Sequence, residues 1–327
     1  MPTAPWWGSP LAKRRTAQAA LAAVALGGTG MAARSARLLW RRRELNWSPP
    51  ERFVQEAFLS CQSMGAGAQP VLLLHSLEGS ADYFGSAFDE LADPGPLVVP
   101  DLLGFGNSPR SDGGYSPDDH VDALLRMLDI LGASQPALIV GHGMGGILAL
   151  RFASRVPERT RAVVALGAPI YSDPESARRW LGRKASGRDL GRAISRAWPK
   201  GHGRIGRSAR VAAGTWRPDL PLPVAHQRFE SLRADAYWST LQSCVVEANA
   251  VDWFSDITCP VDLVIPAHDD TLDVSLTKEI ENAHQNVRVS QLMFGDDRLP
   301  LTHPDGCLAA IDRFRDGTVL SRAEAQG

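Results

Sequence analysis

The chain has 327 residues, 44% hydrophobic and 22% charged, with a net charge of −1. That exceeds the roughly 100–200 residues of a typical domain and suits one large α/β unit with an insertion or a tail. The composition excludes a disordered, collagen-like or multi-pass membrane chain, and the charge balance excludes nucleic-acid binding by bulk electrostatics.

In chain order, Lys13, Arg14 and Arg15 precede an uncharged Ala/Gly-rich stretch, Thr16 to Ala33, which Arg34, Arg37 and Arg41 to Arg43 close. A helix of about 18–20 residues just spans a bilayer, and flanking Lys and Arg tend to stay cytoplasmic. The expectation is a membrane tether with the globular part in the cytoplasm; the alternatives are a cleaved export signal and a plain N-terminal extension. Residues 1–47 are therefore set apart, with Trp47, Pro49 and Pro50 as the linker.

From Pro70 onward, apolar runs alternate with helical patterns. Val71–His75, Leu97–Pro100, Ala137–Gly141, Ala162–Gly167, Val261–Pro266 and Val287–Phe294 read as buried strands. Ser116, followed by Pro117, Asp118 and Asp119, starts a helix that Gly132 stops. Gly145 to Ser154 and Asp305 to Phe314 read as two more helices. This alternation predicts a mostly parallel sheet covered on both faces, built from residues 48–170 and 258–317. Residues 171–257 break the alternation and read as an inserted helical cap carrying Trp180, Trp198, Trp216, Trp238 and Trp253; residues 318–327 are a tail. Cys61, Cys244, Cys259 and Cys307 lie far apart without a CxxC pair, against a zinc ribbon or disulfide scaffold.

The cap begins with a basic stretch: between Tyr171 and Arg217 stand 12 Lys or Arg against 3 acids. Arg188, Arg192, Arg196 and Lys200 recur every four residues, placing like charges on one helix side. The readings are a solvated face or a surface for anionic lipid headgroups.

The stretch most informative about chemistry is Ile139-Val140-Gly141-His142-Gly143-Met144-Gly145-Gly146, between a strand and a helix. A nucleophile elbow needs this layout, because a sharp turn holds its central residue in a strained conformation between small neighbours. The sequence here resembles the α/β-hydrolase fold family, whose elbow reads Gly-x-Ser-x-Gly, except that Gly143 stands at the serine position. Two further stretches are similar to the family's signatures. His75-Ser76-Leu77-Glu78-Gly79-Ser80 resembles its His-Gly oxyanion loop, with Ser76 where glycine is usual, and Asp101 to Ser108 resembles its Asp-x-x-Gly-x-Gly-x-Ser turn. The resemblance runs from about Phe53 to Phe314.

The resemblance implies an α/β-hydrolase fold with a helical cap, and a triad completed by an acid and then a histidine. Asp270 matches the acid, with Asp269 as the alternative, and His303 matches the base. Backbone N–H groups of Leu77 and Met144 match the oxyanion donors, beside Ser76, His75 and His142. Each has a plainer reading: Asp269 and Asp270 as helix-starting carboxylates, His303 as a loop histidine, His142 as packed support, and Cys307 as core. Ser76 could also be a displaced nucleophile.

Three functions follow. In one, this is an ester or acyl hydrolase that works with serine at 143, disabled here by glycine whether introduced or natural. In another, His303 oriented by Asp270 is a general base without a covalent intermediate. In the third, the chain is a ligand-binding relative without the chemistry. The expected ligand is a largely apolar ester or an acyl- or ring-bearing compound. No metal, organic cofactor or nucleic acid is implied.

Overall fold

Strands that are apolar on both faces can be stable only inside a layered structure. The computed structural model describes residues 45–183, 220–225 and 235–315. It contains an eight-stranded sheet in the order β1-β2-β4-β3-β5-β6-β7-β8. The strands are β1 (Phe53–Ala57), β2 (Leu59–Met64), β3 (Val71–Leu74), β4 (Leu97–Pro100), β5 (Ala137–His142), β6 (Thr160–Leu166), β7 (Val261–Pro266) and β8 (Val287–Leu292). β1 pairs antiparallel with β2 and β2 antiparallel with β4, and all later pairings are parallel.

Alternation along β3 divides the core. Leu72 and Leu74 join a cluster with Leu124, Leu148 and Phe152, whereas Val71 and Leu73 join Phe88, Ile311 and Phe314 on the opposite face. The first face is covered by α1 (Pro117–Ile130) and α2 (Met144–Arg155), the second by α6 (Pro304–Arg315). Between these in sequence lie α3 (Pro174–Arg183), α4 (Asp235–Thr240) and α5 (Val274–Ala283). α1 starts as its sequence dictates. The Ser116 hydroxyl accepts the Asp119 N–H at 3.2 Å, and the Asp119 carboxylate accepts the Ser116 N–H at 2.7 Å, a reciprocal cap worth about 1 kcal/mol.

All six expected strands are present; Leu97–Pro100 and Val261–Pro266 have the expected ends and the other four have shifted ones. β3 stops at Leu74, one residue early, because the His75 ring is engaged in the loop that follows. β8 stops at Leu292 rather than Phe294, and Met293 and Phe294 are exposed. β1 and β2 go beyond the expected set. Four of the five β1 residues are exposed, so this edge strand has no buried apolar run to announce it.

The described part of the 171–257 segment is helical: α3 and α4, then a π-helical turn, Leu241–Val246. Trp180, Trp238 and Trp253 pack against the core, whereas Trp198 and Trp216 lie outside the described residues. The N-terminal basic-apolar-basic stretch and most of the basic cap stretch also lie outside them. Among the described residues no helix is long and apolar enough to cross a membrane.

Candidate active site

The turn from β5 into α2 has the backbone of a nucleophile elbow. Gly143 sits at φ +56° and ψ −119°, a region that L side chains enter only under strain. Its N–H donates to the Leu166 carbonyl at 2.9 Å and its carbonyl accepts the Gly146 N–H at 3.0 Å, so neighbouring strand and helix hold the conformation. Gly145 permits the close approach: a Cβ there would lie 2.2 Å from the Leu74 carbonyl oxygen. The turn thus combines a positive-φ central residue with close glycine packing, and residue 143 carries no side chain.

The loop after β3 lies against this turn. His75 is fully buried. Its Nδ1–H donates to the Ser76 carbonyl at 2.8 Å, and its Nε2 accepts the Leu102 N–H at 2.9 Å. Both ring nitrogens are thus spent inside the protein, which corrects the expectation that His75 meets a ligand. It positions the loop instead. Burial, the largest cause, pushes its pKa down to about 4, with the neighbouring His142 adding to the shift and the Ser76 carbonyl opposing it. Asp101 braces the same loop from β4, accepting the Ala81 N–H at 2.8 Å and the Asn107 N–H at 2.9 Å. Leu77 lies in a turn closed by the Gly79 N–H donating to the Ser76 carbonyl at 2.8 Å, and its own N–H is not used by that bond. Met144 is the first residue of α2, where backbone N–H groups have no intrahelical acceptor. His142 is buried and its ring stacks on Tyr83, centroids 5.1 Å apart.

The loops after β7 and β8 meet where the His268 N–H donates to the Gly295 carbonyl at 3.1 Å. A Cβ on Gly295 would lie 3.4 Å from His303 Nδ1, which places His303 at the same junction. No hydrogen bond joins Asp270 to His303, and Asp270 is exposed. This departs from the expected acid–base pair. Asp269 is more enclosed, but its Oδ1 accepts both the Thr271 N–H, at 2.9 Å, and the Thr271 hydroxyl, at 2.6 Å.

A residue that the motif reading missed partners the histidine instead. Thr302 Oγ1 lies 3.2 Å from the Arg298 carbonyl and 2.9 Å from His303 Nδ1, so one hydroxyl links the histidine to the preceding turn. Phe294, 68% exposed, stacks over the same imidazole at 6.4 Å with its ring 7° from parallel. The Tyr237 hydroxyl on α4 donates to Glu78 Oε1 at 3.3 Å, tying the cap to the loop after β3. Thr302 is the chain neighbour of His303, but the contacts of Phe294 and of Tyr237 join segments brought together only by folding. Among the described residues no three His, Cys, Asp or Glu side chains converge as a metal site.

Sheet order and elbow define an α/β-hydrolase-fold protein. The family model described as alpha/beta hydrolase fold matches residues 69–189. The chain is 45% identical over 82 residues to a 2-hydroxymuconate semialdehyde hydrolase of Pseudomonas putida, a match covering 25% of this chain and 29% of that protein. It is 37% identical over 114 residues to the enzyme of the same name from Pseudomonas sp. (strain CF600), covering 34% and 40% of the two chains. These alignments span well under half the length of the curated relatives. Among solved structures it is similar to E-2-(acetamidomethylene)succinate hydrolase, with a TM-score of 0.62 and 19% identity over 81% of this chain and 100% of that one. A membrane phospholipase A has a TM-score of 0.61 and 17% identity over 94% of this chain and 100% of that one. Identities this low carry the fold alone.

Proposed function

We propose that the protein is an ester- or acyl-directed hydrolase-type protein whose pocket receives a largely apolar carbonyl compound without forming an acyl-enzyme at the elbow. The observation that carries this reading is residue 143, held in the elbow conformation with no side chain to attack a carbonyl. Support comes from the oxyanion-side groups at Leu77 and Met144, and from curated relatives named as hydrolases. The imidazole of His303 is hydrogen-bonded to Thr302 and lacks a hydrogen-bonded carboxylate to stabilise its protonated form, which favours binding over general-base turnover.

The test uses p-nitrophenyl butyrate and a fluorophosphonate probe on the full chain. The expected result is no burst of p-nitrophenol, no probe adduct at the elbow, and thermal stabilisation by a non-hydrolysable butyl ketone. A burst stoichiometric with protein would overturn the reading. We further propose that residues 1–43 tether the chain to a membrane, with the globular part cytoplasmic, and that the basic cap stretch favours anionic headgroups; the charge pattern of the sequence supports both.

A further inference from the structure

We propose that Ser76 and Gly143 form one steric unit, in which the Ser76 side chain keeps the elbow free of a side chain, so that serine at 143 becomes competent only when residue 76 is glycine. The inference rests on the reading of the pocket as an acyl-directed hydrolase site. A Cβ built on Gly143 would lie 3.1 Å from Ser76 Cβ and 3.7 Å from Ser76 Oγ. Carbon atoms in favourable contact stand about 3.5–4.0 Å apart, so the first distance is too tight and one side must give by a few tenths of an ångström.

Which atoms meet decides what can relieve it. An Oγ swings away by rotation about χ1, but a Cβ moves only with its backbone. At Ser76 the backbone is pinned, its carbonyl accepting both the His75 Nδ1–H and the Gly79 N–H, each at 2.8 Å. At Gly143 it is pinned by the bonds to Leu166 and Gly146. Neither side yields cheaply. Without the Ser76 side chain, the nearest remaining atom of that residue would be its Cα, at an ordinary 3.9 Å. The two positions thus divide one volume between them. Ser76 is half-buried and its hydroxyl makes no hydrogen bond among the described residues, so it is a polar group that a ligand over the elbow can meet.

The test is a double-mutant cycle in the full chain: Gly143→Ser, Ser76→Gly, and both together. Melting temperature reads the steric coupling. Fluorophosphonate labelling reads the chemistry: the residue-143 oxygen bonds to phosphorus, the P–F bond breaks, fluoride leaves, and the hydroxyl proton passes to His303 or to water. Gly143→Ser is expected to lower the melting temperature by several degrees alone and by less than half as much beside Ser76→Gly. Labelling of residue 143 is expected to be at least about tenfold faster in the double variant, with the gain in the bond-forming rate and not in probe affinity. Failure of the single variant to fold, with rescue by the second substitution, is the same result in stronger form. Additive melting temperatures, or a double variant that folds no better than Gly143→Ser, overturn the proposal. Coupled stabilities without labelling leave the steric unit standing and remove the acyl-directed reading on which its use depends.

Discussion

His75 Nε2 accepts the backbone N–H of Leu102 at 2.9 Å, and so one buried imidazole ties the loop after β3 to the turn after β4. That bond requires a neutral ring. A second buried imidazole, His120 on α1, lies 3.4 Å by its Nε2 from Thr240 Oγ1 at the end of α4. Burial, the largest cause, pushes its pKa down to about 3.

A pH dependence follows with a definite sign. Both histidines take up protons near pH 6.5 when unfolded, but only near 4 and 3 when folded, so stability is full above pH 6.5 and falls on acidification. His75 alone accounts for a loss on the order of 3 kcal/mol across its window. Asp101 and Asp262, raised chiefly by burial, act oppositely, taking up protons more readily when folded and offsetting part of the loss at the acid end. Urea midpoints at pH 7.5, 6.5, 5.5 and 4.5 are expected to fall steadily, and His120→Gln to flatten the curve. A parent curve level from pH 7.5 to 5 would contradict this.

Arg52 is completely buried at its side chain and donates from Nε to Asp89 Oδ1 at 2.6 Å and from Nη2 to the Gly85 carbonyl at 2.9 Å. It fixes the segment entering β1 to the layer beneath. Arg52→Ala strands a mostly buried carboxylate, at a cost of about 3–5 kcal/mol. Arg52→Met with Asp89→Leu removes both charges and is expected to recover most of that loss in chemical denaturation.

What the sequence could show depended on how local the cause was. Runs rich in Val, Leu and Ile, mostly continuous, reveal β3 to β8, and Ser116 with Asp119 reveals the start of α1, since burial and capping are written in neighbouring residues. Asp101 and Ser108 are legible as a motif, and their hydrogen bonds show its purpose: Ser108 Oγ donates to the Asp101 carbonyl at 2.5 Å and accepts the Ser60 N–H at 2.9 Å. β1, exposed along most of its length, leaves no such trace. The contact between Ser76 and Gly143 is likewise hidden, because loop geometry sets it, whereas Thr302 adjoins His303 in the chain and only its hydrogen bond to the ring waits on the fold. A motif names the elbow and the histidine without naming what stands beside them.

Membrane attachment separates by how it is released. An apolar helix within Thr16 to Ala33 holds through buried hydrocarbon, whereas the basic stretches hold through charge that salt screens, the Debye length falling to about 3 Å at 1 M. The full chain is expected in the membrane fraction, retained in 1 M NaCl and released by detergent. Release by salt alone would leave only the electrostatic attachment, and recovery in the soluble fraction at low salt would remove both.

The partner of His303 yields the sharpest expectation about the site. In a serine triad the carboxylate selects the imidazole tautomer and stabilises the imidazolium, and its replacement by an amide lowers turnover by about 10⁴. Here Thr302 Oγ1 is the hydrogen-bond partner of Nδ1, at 2.9 Å, and Asp270 makes no hydrogen bond to the ring. In the Gly143→Ser, Ser76→Gly background, Asp270→Asn is therefore expected to change the labelling rate by no more than about threefold, far below a triad acid's effect. Thr302→Val removes the hydrogen-bond partner of Nδ1 and frees the ring to place its proton on either nitrogen. Nitrogen chemical shifts of His303 are expected to report a single tautomer in the parent and in Asp270→Asn, and a mixture in Thr302→Val. A fall in labelling approaching 10⁴ on Asp270→Asn would mean that the carboxylate closes on His303 when the site is occupied, and the threonine would then only hold its place until the ligand arrives.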